Sequence, residues 1–253
     1  MTEPLARHIE GTTALVTGAN RGLGMAFVQA LLDRGAAKVY AGARNPGTVD
    51  VTDARVVPVQ LDITNFDDIA AAARDCADVS LLVNNAGAML LRPFLSAPDM
   101  SAARTEMETN YFGTLAMARA FAPVLGAAGG GGLVNVLSVV SWLASPFNAS
   151  YCASKSAEWA LTNALRVELR AQGTLVVGVY AGFVDTDMTK SLDVPKVRPE
   201  AIVAAVLAGI ESGTEEVLAD ERAREVATNF VRESKIREQL NQQAWDQGQF
   251  SRK

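Results

Sequence analysis

Thr13-Ala14-Leu15-Val16-Thr17-Gly18-Ala19-Asn20-Arg21-Gly22-Leu23-Gly24 is the stretch that decides the fold. Its first five residues are an apolar, β-branched run, which predicts a short buried strand. A glycine-rich turn follows at once, and a helical pattern then runs to Gly35, a residue suited to the position just beyond a helix end. Strand, glycine-rich turn and helix form the first half of a βαβ unit that binds dinucleotides, because the glycines let backbone N–H groups approach a pyrophosphate.

Further apolar runs alternate with helical patterns along the chain. They predict strands at residues 38–44, 56–61, 81–83, 133–137, 176–180 and 216–218. We therefore predict an α/β fold: a single Rossmann-type doubly wound domain over residues 1–253, whose mostly parallel seven-stranded sheet has helices on both faces. Within it, residues 182–198 form the expected substrate loop, and residues 221–253 form a polar C-terminal tail with no evident chemistry.

Composition limits the possible functions. The 253 residues are 49% hydrophobic and carry a formal net charge of −5 with no basic block, so we expect no nucleic-acid or membrane partner. The N-terminus has no signal-peptide pattern, which favours a cytoplasmic protein. Cys76 and Cys152 lack metal-like spacing and are expected to be reduced thiols. Because His8 is the single histidine, we expect no metal site and no histidine-based catalysis.

The second strand ends at a basic residue rather than an acidic one. NAD-binding units carry an acid near this point for the ribose 2′-hydroxyl, whereas an arginine suits a 2′-phosphate. Here the position holds Ala43-Arg44, and Arg21 lies in the glycine turn. Two guanidinium groups that clamp a phosphate would favour NADP over NAD. The alternative is that both arginines are solvated surface residues.

Two later strand ends also carry candidate cofactor contacts. Asp62 follows the third strand, where it would either bond an adenine amino group or simply terminate the strand. The fourth strand opens into Asn84-Asn85-Ala86-Gly87, whose small residues let the backbone lie against a flat ring.

Tyr151-Cys152-Ala153-Ser154-Lys155 begins a long helical pattern and carries the chemistry. Residues four apart share a helix face, so the phenol and the ammonium can meet. A free tyrosine titrates near pH ~10, and a neighbouring cation would make its proton easier to transfer. Ser138 lies thirteen positions upstream at the end of the fifth strand, where it can share the site.

The remaining candidates surround this pair. Val140, Trp142 and Phe147 lie between Ser138 and Tyr151 and would wall an apolar pocket, although they would equally serve to pack the loop. Asn110, among apolar neighbours, is either a satisfied buried amide or a residue that holds a water near the site.

The chain resembles the short-chain dehydrogenase/reductase family from about Gly11 to Ala219. The matching motifs are Thr17-Gly18-x-x-x-Gly22-x-Gly24, Asn84-Asn85-Ala86-Gly87, Asn110, Ser138 and Tyr151-x-x-x-Lys155. Arg44 resembles the NADP-preferring branch that includes carbonyl reductases. One departure is Ala181-Gly182, where the family usually has Pro-Gly.

The resemblance implies the site residues. The implied cofactor contacts are Gly18, Asn20, Arg21, Gly22, Leu23, Gly24, Arg44, Asp62, Ile63, Asn85, Ala86, Gly87, Tyr151, Lys155, Gly182, Val184 and Thr186, the last at the nicotinamide carboxamide. The implied substrate contacts are Ser138, Val140, Trp142, Phe147, Tyr151, Phe183 and Met188.

The resemblance also implies a mechanism. NADPH would deliver hydride to a carbonyl carbon while Ser138 binds the carbonyl oxygen and Tyr151 donates the proton. Lys155 would lower the Tyr151 pKa and hold the nicotinamide ribose, and Asn110 would position a water that relays protons.

These expectations lead to an NADP(H)-dependent oxidoreductase that reduces a ketone or aldehyde reversibly. One alternative is a β-ketoacyl carrier-protein or polyketide ketoreductase, which needs a basic patch for its acidic carrier. Another is a catalytically silent NADP-binding scaffold, which would be expected to lose the tyrosine, lysine or serine. The resemblance implies a homodimer or homotetramer built on the two long helices that carry Asn110 and Tyr151. The substrate would be a small carbonyl or alcohol.

Overall fold

A computed structural model describes residues 6–230 and residue 243. The described residues form a seven-stranded sheet in the order β3-β2-β1-β4-β5-β6-β7, with every pair parallel. The strands are β1 (Thr13–Thr17), β2 (Lys38–Ala43), β3 (Val56–Gln60), β4 (Leu81–Asn84), β5 (Gly132–Val136), β6 (Leu175–Tyr180) and β7 (Glu216–Leu218). The predicted Rossmann-type fold is confirmed, and the predicted strand ends differ from these by at most one residue.

The helices connect these strands in chain order. They are α1 (Gly22–Asp33), α2 (Phe66–Asp75), α3 (Ser101–Met107), α4 (Thr114–Ala127), α5 (Ala149–Glu168), α6 (Pro199–Ser212) and α7 (Glu221–Thr228). A wider π turn, Glu108–Gly113, joins α3 to α4. Local sequence sets several of these ends: the Asn65 side chain accepts from the Asp67 N–H at the start of α2, and Pro199 is the first residue of α6.

Two apolar layers cover the sheet. On one face α1 and α6 contribute Phe27, Leu31, Ile202 and Val206, all with 0% exposure. On the other face α2, α4 and α5 pack, and Phe121 is likewise fully buried. Burying a side chain of this size contributes about 1.5–3 kcal/mol, so both faces are held firmly against the strands.

The strand order reverses between β1 and β4. In such sheets the crevice beyond the carboxyl ends of the strands, at the point of reversal, is where ligands bind. The glycine turn follows β1, the Asn84-Asn85-Ala86-Gly87 segment follows β4, and Ser138 follows β5. The fold therefore brings three separate stretches of sequence to one edge of the sheet.

Residues 221–230 differ from the sequence expectation of a polar tail without a role. Asp220 caps α7 by accepting a hydrogen bond from the Ala223 N–H at 2.7 Å. Ala223 and Val226 are then fully buried in a small third cluster, which also contains Tyr180. The rest of the predicted tail, residues 231–253 apart from residue 243, lies outside the described residues.

Candidate functional site

A cleft of about 1670 Å³ opens along the carboxyl ends of the strands. Pockets for drug-sized ligands are typically ~300–1,000 Å³, so this cleft has room for a dinucleotide together with a second molecule. Its lining includes these residues expected to contact a cofactor: Gly18, Asn20, Arg21, Gly22, Leu23, Gly24, Arg44, Asp62, Ile63, Asn85, Ala86, Gly87, Tyr151, Lys155, Gly182, Val184 and Thr186. The structure thus brings together positions from the five segments that follow β1, β2, β3, β4 and β6 and from helix α5.

The glycine turn is shaped by close backbone approach. Gly18 has φ +65°, a conformation that side chains rarely adopt. A Cβ at Gly24 would lie 2.1 Å from the Gly18 carbonyl oxygen, so α1 can begin this close to the turn only without a side chain there. Asn85 fixes the other side of the turn, because its Nδ2 donates to the Thr17 carbonyl at 2.8 Å.

Two exposed arginines stand at the cleft. Arg21 makes a 3.7 Å ion pair with Asp187, and both side chains are about two-thirds exposed (66% and 67%). A pair of this kind is screened and weak, so it would exchange readily for a stronger anion. Arg44 is exposed directly after β2, and its carbonyl accepts from Gln60 Nε2 at 2.9 Å, which fixes the backbone below the guanidinium.

The position of Asp62 is compatible with both roles that the sequence leaves open, a structural one at the end of β3 and a contact with adenine. Its Oδ1 accepts from the N–H and the hydroxyl of Thr64 at 2.9 and 2.8 Å, so it builds the turn after β3. It also lines the cleft, as the adenine-binding role requires.

Ser138, Tyr151 and Lys155 all line the cleft, at its centre between β5 and α5. Lys155 Nζ donates to the Val136 carbonyl at 2.8 Å, which ties the helix residue to the last residue of β5. The Ser138 hydroxyl donates to the Ala181 carbonyl at 3.4 Å and accepts from the Val140 N–H at 3.3 Å. These long hydrogen bonds leave the hydroxyl free to turn toward a ligand oxygen.

The pKa of Tyr151 differs from the sequence expectation. Lys155 and the Ser138 hydroxyl both favour the phenolate, so each lowers the pKa of Tyr151, as expected for Lys155. Burial of the phenol outweighs them, however, and Glu158 adds to its effect, so the Tyr151 pKa is raised above its usual value. The expected lowering of this pKa by Lys155 is therefore only one contribution among several.

Glu158 was not expected from the sequence. Its Oε2 lies 2.5 Å from Lys155 Nζ, and the two side chains are 1% and 6% exposed. Burial lowers the pKa of Lys155, but the charges of Glu158 and Tyr151 together with the hydrogen bond to Glu158 outweigh it, so the pKa of Lys155 is raised. Burial also raises the pKa of Glu158, and the positive charge of Lys155 offsets only part of this rise. The spacing of three residues on one helix was the signal that could have found the pair.

Asn110 is fully buried in the π turn. Its Oδ1 accepts from the Ala88 N–H at 2.8 Å, and its Nδ2 donates to the Ala88 carbonyl at 2.9 Å and to Ser154 Oγ at 2.8 Å. Both N–H donors of the amide are thus used within the protein, where they join the loop after β4 to α5. The water-positioning role of this residue stays a prediction.

The expected substrate wall needs one correction. Ser138, Val140, Phe147, Tyr151, Phe183 and Met188 line the cleft as expected, and so does Leu143, a further apolar residue between Ser138 and Tyr151. Leu90 and Leu192 also line it, and the sequence did not single them out. Trp142 does not line the cleft. Its ring stacks on Tyr180 at 4.0 Å between centroids and 21° between planes, because the turn after Ser138 directs it into the third apolar cluster.

The C-terminal segment also reaches the cleft, through Asp220, Glu221, Arg222 and Glu225. Asp220 Oδ2 accepts from the Gly182 N–H at 2.7 Å and so anchors the start of the loop that carries Phe183 and Met188.

Clusters of metal-binding side chains and membrane-spanning helices are both absent from the described part of the chain. Within it we find no group of three or more His, Cys, Asp and Glu side chains placed to hold a metal ion. Across residues 6–230, no helix has the length and apolar character that crossing a bilayer requires.

Several known proteins are similar to this chain in sequence and in fold. The galactitol 2-dehydrogenase (L-tagatose-forming) of Cereibacter sphaeroides is 34% identical over 204 residues, which cover 76% of this chain and 78% of that protein. The 3-oxoacyl-(acyl-carrier-protein) reductase of Vibrio cholerae is 32% identical over 197 residues, which cover 74% and 79%. A short chain dehydrogenase from Burkholderia cenocepacia, solved in complex with NADP, superposes with a TM-score of 0.89 at 44% identity, covering 93% of this chain and 99% of that one.

The family model for short chain dehydrogenases matches residues 12–196, a range that runs from β1 to the loop before α6. That range contains the glycine turn and the cleft residues Ser138, Tyr151 and Lys155. The resemblance noted from the motifs is confirmed, and the chain belongs to the short chain dehydrogenase family of oxidoreductases.

Proposed function

We propose that this protein is an NADP(H)-dependent oxidoreductase that reduces a ketone or aldehyde to an alcohol, reversibly, with Tyr151 as the general acid and base. The observation that carries this proposal is that Ser138, Tyr151 and Lys155 line the same cleft as the glycine turn. A hydride donor and a proton donor would then act on one substrate from adjacent positions, which is the main requirement for carbonyl reduction.

The residues of the cleft fit the proposed cofactor. Gly24 has no side chain where a Cβ would meet the turn, so the backbone N–H groups at the start of α1 can face a pyrophosphate. Arg44 and Arg21 supply positive charge where a 2′-phosphate would lie, and the similar Burkholderia cenocepacia structure contains NADP. When bound, NADPH supplies the hydride.

The chain's own groups then have distinct roles. The Ser138 hydroxyl donates a hydrogen bond to the substrate oxygen and stabilises the charge that grows there. The Tyr151 hydroxyl donates the proton, a step worth on the order of 10²–10⁴-fold in rate. Lys155 has one ammonium hydrogen left after its bonds to Val136 and Glu158, and this hydrogen serves the cofactor ribose. Asn110 holds the loop after β4 in place and is the proposed site of the proton-relay water.

The substrate side of the cleft favours an apolar group next to the carbonyl. Val140, Leu143, Phe147, Phe183 and Met188 line the same cleft as Tyr151. Contacts of this kind contribute affinity through buried apolar area, so we expect substrates with an alkyl or aryl group to be preferred over small hydrophilic ones.

A second candidate function is reduction of a β-ketoacyl group carried on a carrier protein. It is favoured by the similarity to the Vibrio cholerae 3-oxoacyl-(acyl-carrier-protein) reductase. The lining of the cleft includes Arg104, Lys196 and Arg222, but it also includes Glu108 and Glu225, and Glu225 pairs with Arg222 at 3.2 Å. This mixed charge does not form the basic patch that an acidic carrier would need, so we rank free carbonyl substrates first.

We also propose that the protein is a cytoplasmic homodimer or homotetramer built on α4 and α5. Phe112, at the end of the π turn, is 46% exposed, and Trp159 and Val167 on α5 are 36% and 73% exposed. Apolar side chains of this size on neighbouring helices are typical of a subunit interface.

The test is a panel of ketones and aldehydes, including a β-ketoacyl thioester, assayed by the loss of NADPH absorbance beside NADH. We expect turnover with NADPH on apolar ketones, and Tyr151→Phe should lower it by about 10²-fold or more while NADPH still binds. Tyr40→Phe is the matched control, because this phenol bonds Asp78 outside the cleft, at 2.9 Å. NADPH binding without turnover on any substrate would instead support the scaffold alternative.

A further inference from the structure

The buried carboxylate of Glu158 stands next to the proposed catalytic pair. It lies one turn beyond Lys155 on α5, and its Oε2 approaches Lys155 Nζ to 2.5 Å. Its other oxygen accepts only a long hydrogen bond, 3.4 Å, from the Thr114 hydroxyl of α4. A carboxylate with 1% exposure is costly to bury unless it is paired, so its main partner is the Lys155 ammonium.

The same contact determines where the ammonium can point. Lys155 Nζ donates to the Val136 carbonyl of β5 and to Glu158, and these two bonds take two of its three hydrogens. A Cβ built on Gly87 would lie 3.9 Å from Nζ, so the ammonium lies close to the loop after β4, and both residues line the cleft. Glu158 therefore selects the direction of the hydrogen that is left for a ligand.

We propose that Glu158 is a positioning residue for the reaction proposed above: it fixes Lys155 against the end of β5 and offsets part of the positive charge that Lys155 presents to Tyr151. This inference rests on the proposed function, since it assigns the proton chemistry to Tyr151. Glu158 itself does not line the cleft, and it acts through Lys155.

The groups that act on Tyr151 come from several elements. They are Lys155, Glu158 and the Cys152 thiol on α5, and the Ser138 hydroxyl after β5. Those that act on Glu158 are Lys155 on the same helix and the Thr114 hydroxyl on α4. Lys155 and Glu158 are the charged members of this set, so a change at Glu158 alters the charge balance around Tyr151 directly.

Loss of the Glu158 charge should shift the pH profile of reduction in one definite direction. Tyr151 and Lys155 titrate as a coupled pair, which is fully protonated in the form that is active in reduction. Removing the nearby negative charge of Glu158 lets this pair release its first proton at lower pH, whichever of the two groups releases it. The alkaline limb of the reduction profile must therefore move toward acid pH when Glu158 loses its charge.

The experiment compares the pH profiles of kcat for NADPH-dependent ketone reduction in wild type, Glu158→Gln and Glu158→Leu. The first variant keeps the shape, and the second fills the space with an apolar side chain if the amide is not tolerated. In each we expect the alkaline limb to move by about one pH unit or more toward acid pH, since a charge this close shifts a pKa by about 1–3 units.

Two controls separate charge from packing. Glu158→Asp keeps the carboxylate, and its alkaline limb should stay within about 0.3 pH units of wild type. Glu106→Gln removes a carboxylate that is equally buried, on α3, but whose oxygen accepts from the Leu90 N–H instead of contacting Lys155. This variant should also keep the wild-type limb.

The outcomes distinguish this inference from the proposed function. The role of Glu158 would be overturned if the alkaline limb stayed at the wild-type pH in both Glu158→Gln and Glu158→Leu. It would also be overturned if the limb moved by the same amount in Glu158→Asp. In either case an enzyme that still depends on Tyr151 would leave the proposed function standing. A wild-type protein that reduces no carbonyl, or a Tyr151→Phe variant with full turnover, would overturn the proposed function and this inference together.

Discussion

Replacing Gly24 by alanine tests the structural basis of the proposed cofactor site most directly. A Cβ at this position would lie 2.1 Å from the Gly18 carbonyl oxygen, 2.8 Å from the Gly18 carbonyl carbon and 2.7 Å from Asn85 Nδ2. Non-bonded carbon atoms are normally about 3.5–4.0 Å from their neighbours. The turn would therefore have to move by more than about 1 Å, because the closest atom and one of the other two belong to the Gly18 backbone, which cannot rotate away.

The loss of stability in Gly24→Ala can be estimated from the contacts that the displaced turn would lose. Forcing an extra carbon into a packed region typically costs about 1–3 kcal/mol. The displaced turn also loosens the Asn85 Nδ2 bonds to the Thr17 and Gly18 carbonyls, 2.8 and 3.3 Å, for about 1 kcal/mol more. A total of about 3 kcal/mol corresponds to a fall in Tm of about 6–12 °C for a chain of this size.

The measurements are thermal unfolding without ligand and NADPH binding followed by fluorescence. We expect Gly24→Ala to lower the Tm as calculated and to weaken NADPH binding at least tenfold, since the backbone N–H groups of the turn would no longer face the pyrophosphate. Gly126→Ala is the matched control: it lies within α4, and the atom nearest to its Cβ is Oε1 of the Gln172 side chain, at 3.3 Å, so that side chain has to shift by only a few tenths of an ångström. The gain of about 0.5–1 kcal/mol in helix propensity is opposed by this close contact with the hydrogen-bonded Gln172 amide, so the variant should stay within about 1 kcal/mol of wild type and bind NADPH normally. If Gly24→Ala melted and bound NADPH like wild type, the close approach at this turn would have no consequence and the reasoning would be refuted.

Three other changes test separate parts of the structure. Arg44→Glu should weaken the binding of NADPH by about 10–100-fold and that of NADH much less, because the lost contact is to the 2′-phosphate. Equal losses for the two cofactors would contradict the phosphate clamp, and Arg74→Glu on α2 is the control. Asp220→Ala should cost about 3 kcal/mol in unfolding free energy, since it leaves the Gly182 N–H without its acceptor and removes the cap of α7; a Tm within 2 °C of wild type, on the order of 0.5 kcal/mol, would refute this. Both thiols should resist a disulfide reagent at neutral pH, because burial raises the pKa of Cys76 to about 12 and that of Cys152 to about 11; labelling of either thiol within minutes in the folded protein would contradict their burial.

Much of the fold was readable from the sequence, because each strand is a short apolar run bounded by turn residues. The run Thr13–Thr17 and the three-residue strand Glu216–Leu218 were located to the residue. Periodicity also located α5, and its start differed by two residues, at Ala149 rather than Tyr151. Local patterns succeeded here because parallel strands buried on both faces require an almost continuous apolar sequence.

The candidate site was less readable wherever a tertiary contact decides the role of a side chain. Trp142 looked like a pocket residue by its position between Ser138 and Tyr151, yet it stacks on Tyr180 of β6. Nothing in the local sequence shows which side of a turn a ring will take when both sides are apolar. Glu158 was missed for a related reason, since a glutamate within a helix is usually a solvated residue, and tertiary packing around α5, with Thr114 at the start of α4, buries this one.

The departure at Ala181 and the start of α7 are linked through Asp220. The family resemblance leads one to expect proline at this position, which would stiffen the chain leaving β6. The Ala181 carbonyl still accepts from the Val139 N–H at 3.0 Å and from the Ser138 hydroxyl, and these bonds need no proline ring. The stiffness is supplied at the next residue instead, where the buried Asp220 carboxylate holds the Gly182 N–H and caps α7 with its other oxygen. One side chain thus fixes both the turn beside Ser138 and the start of α7, whose residues Glu221, Arg222 and Glu225 line the cleft, so a segment that looks like a polar tail contributes to the cleft wall.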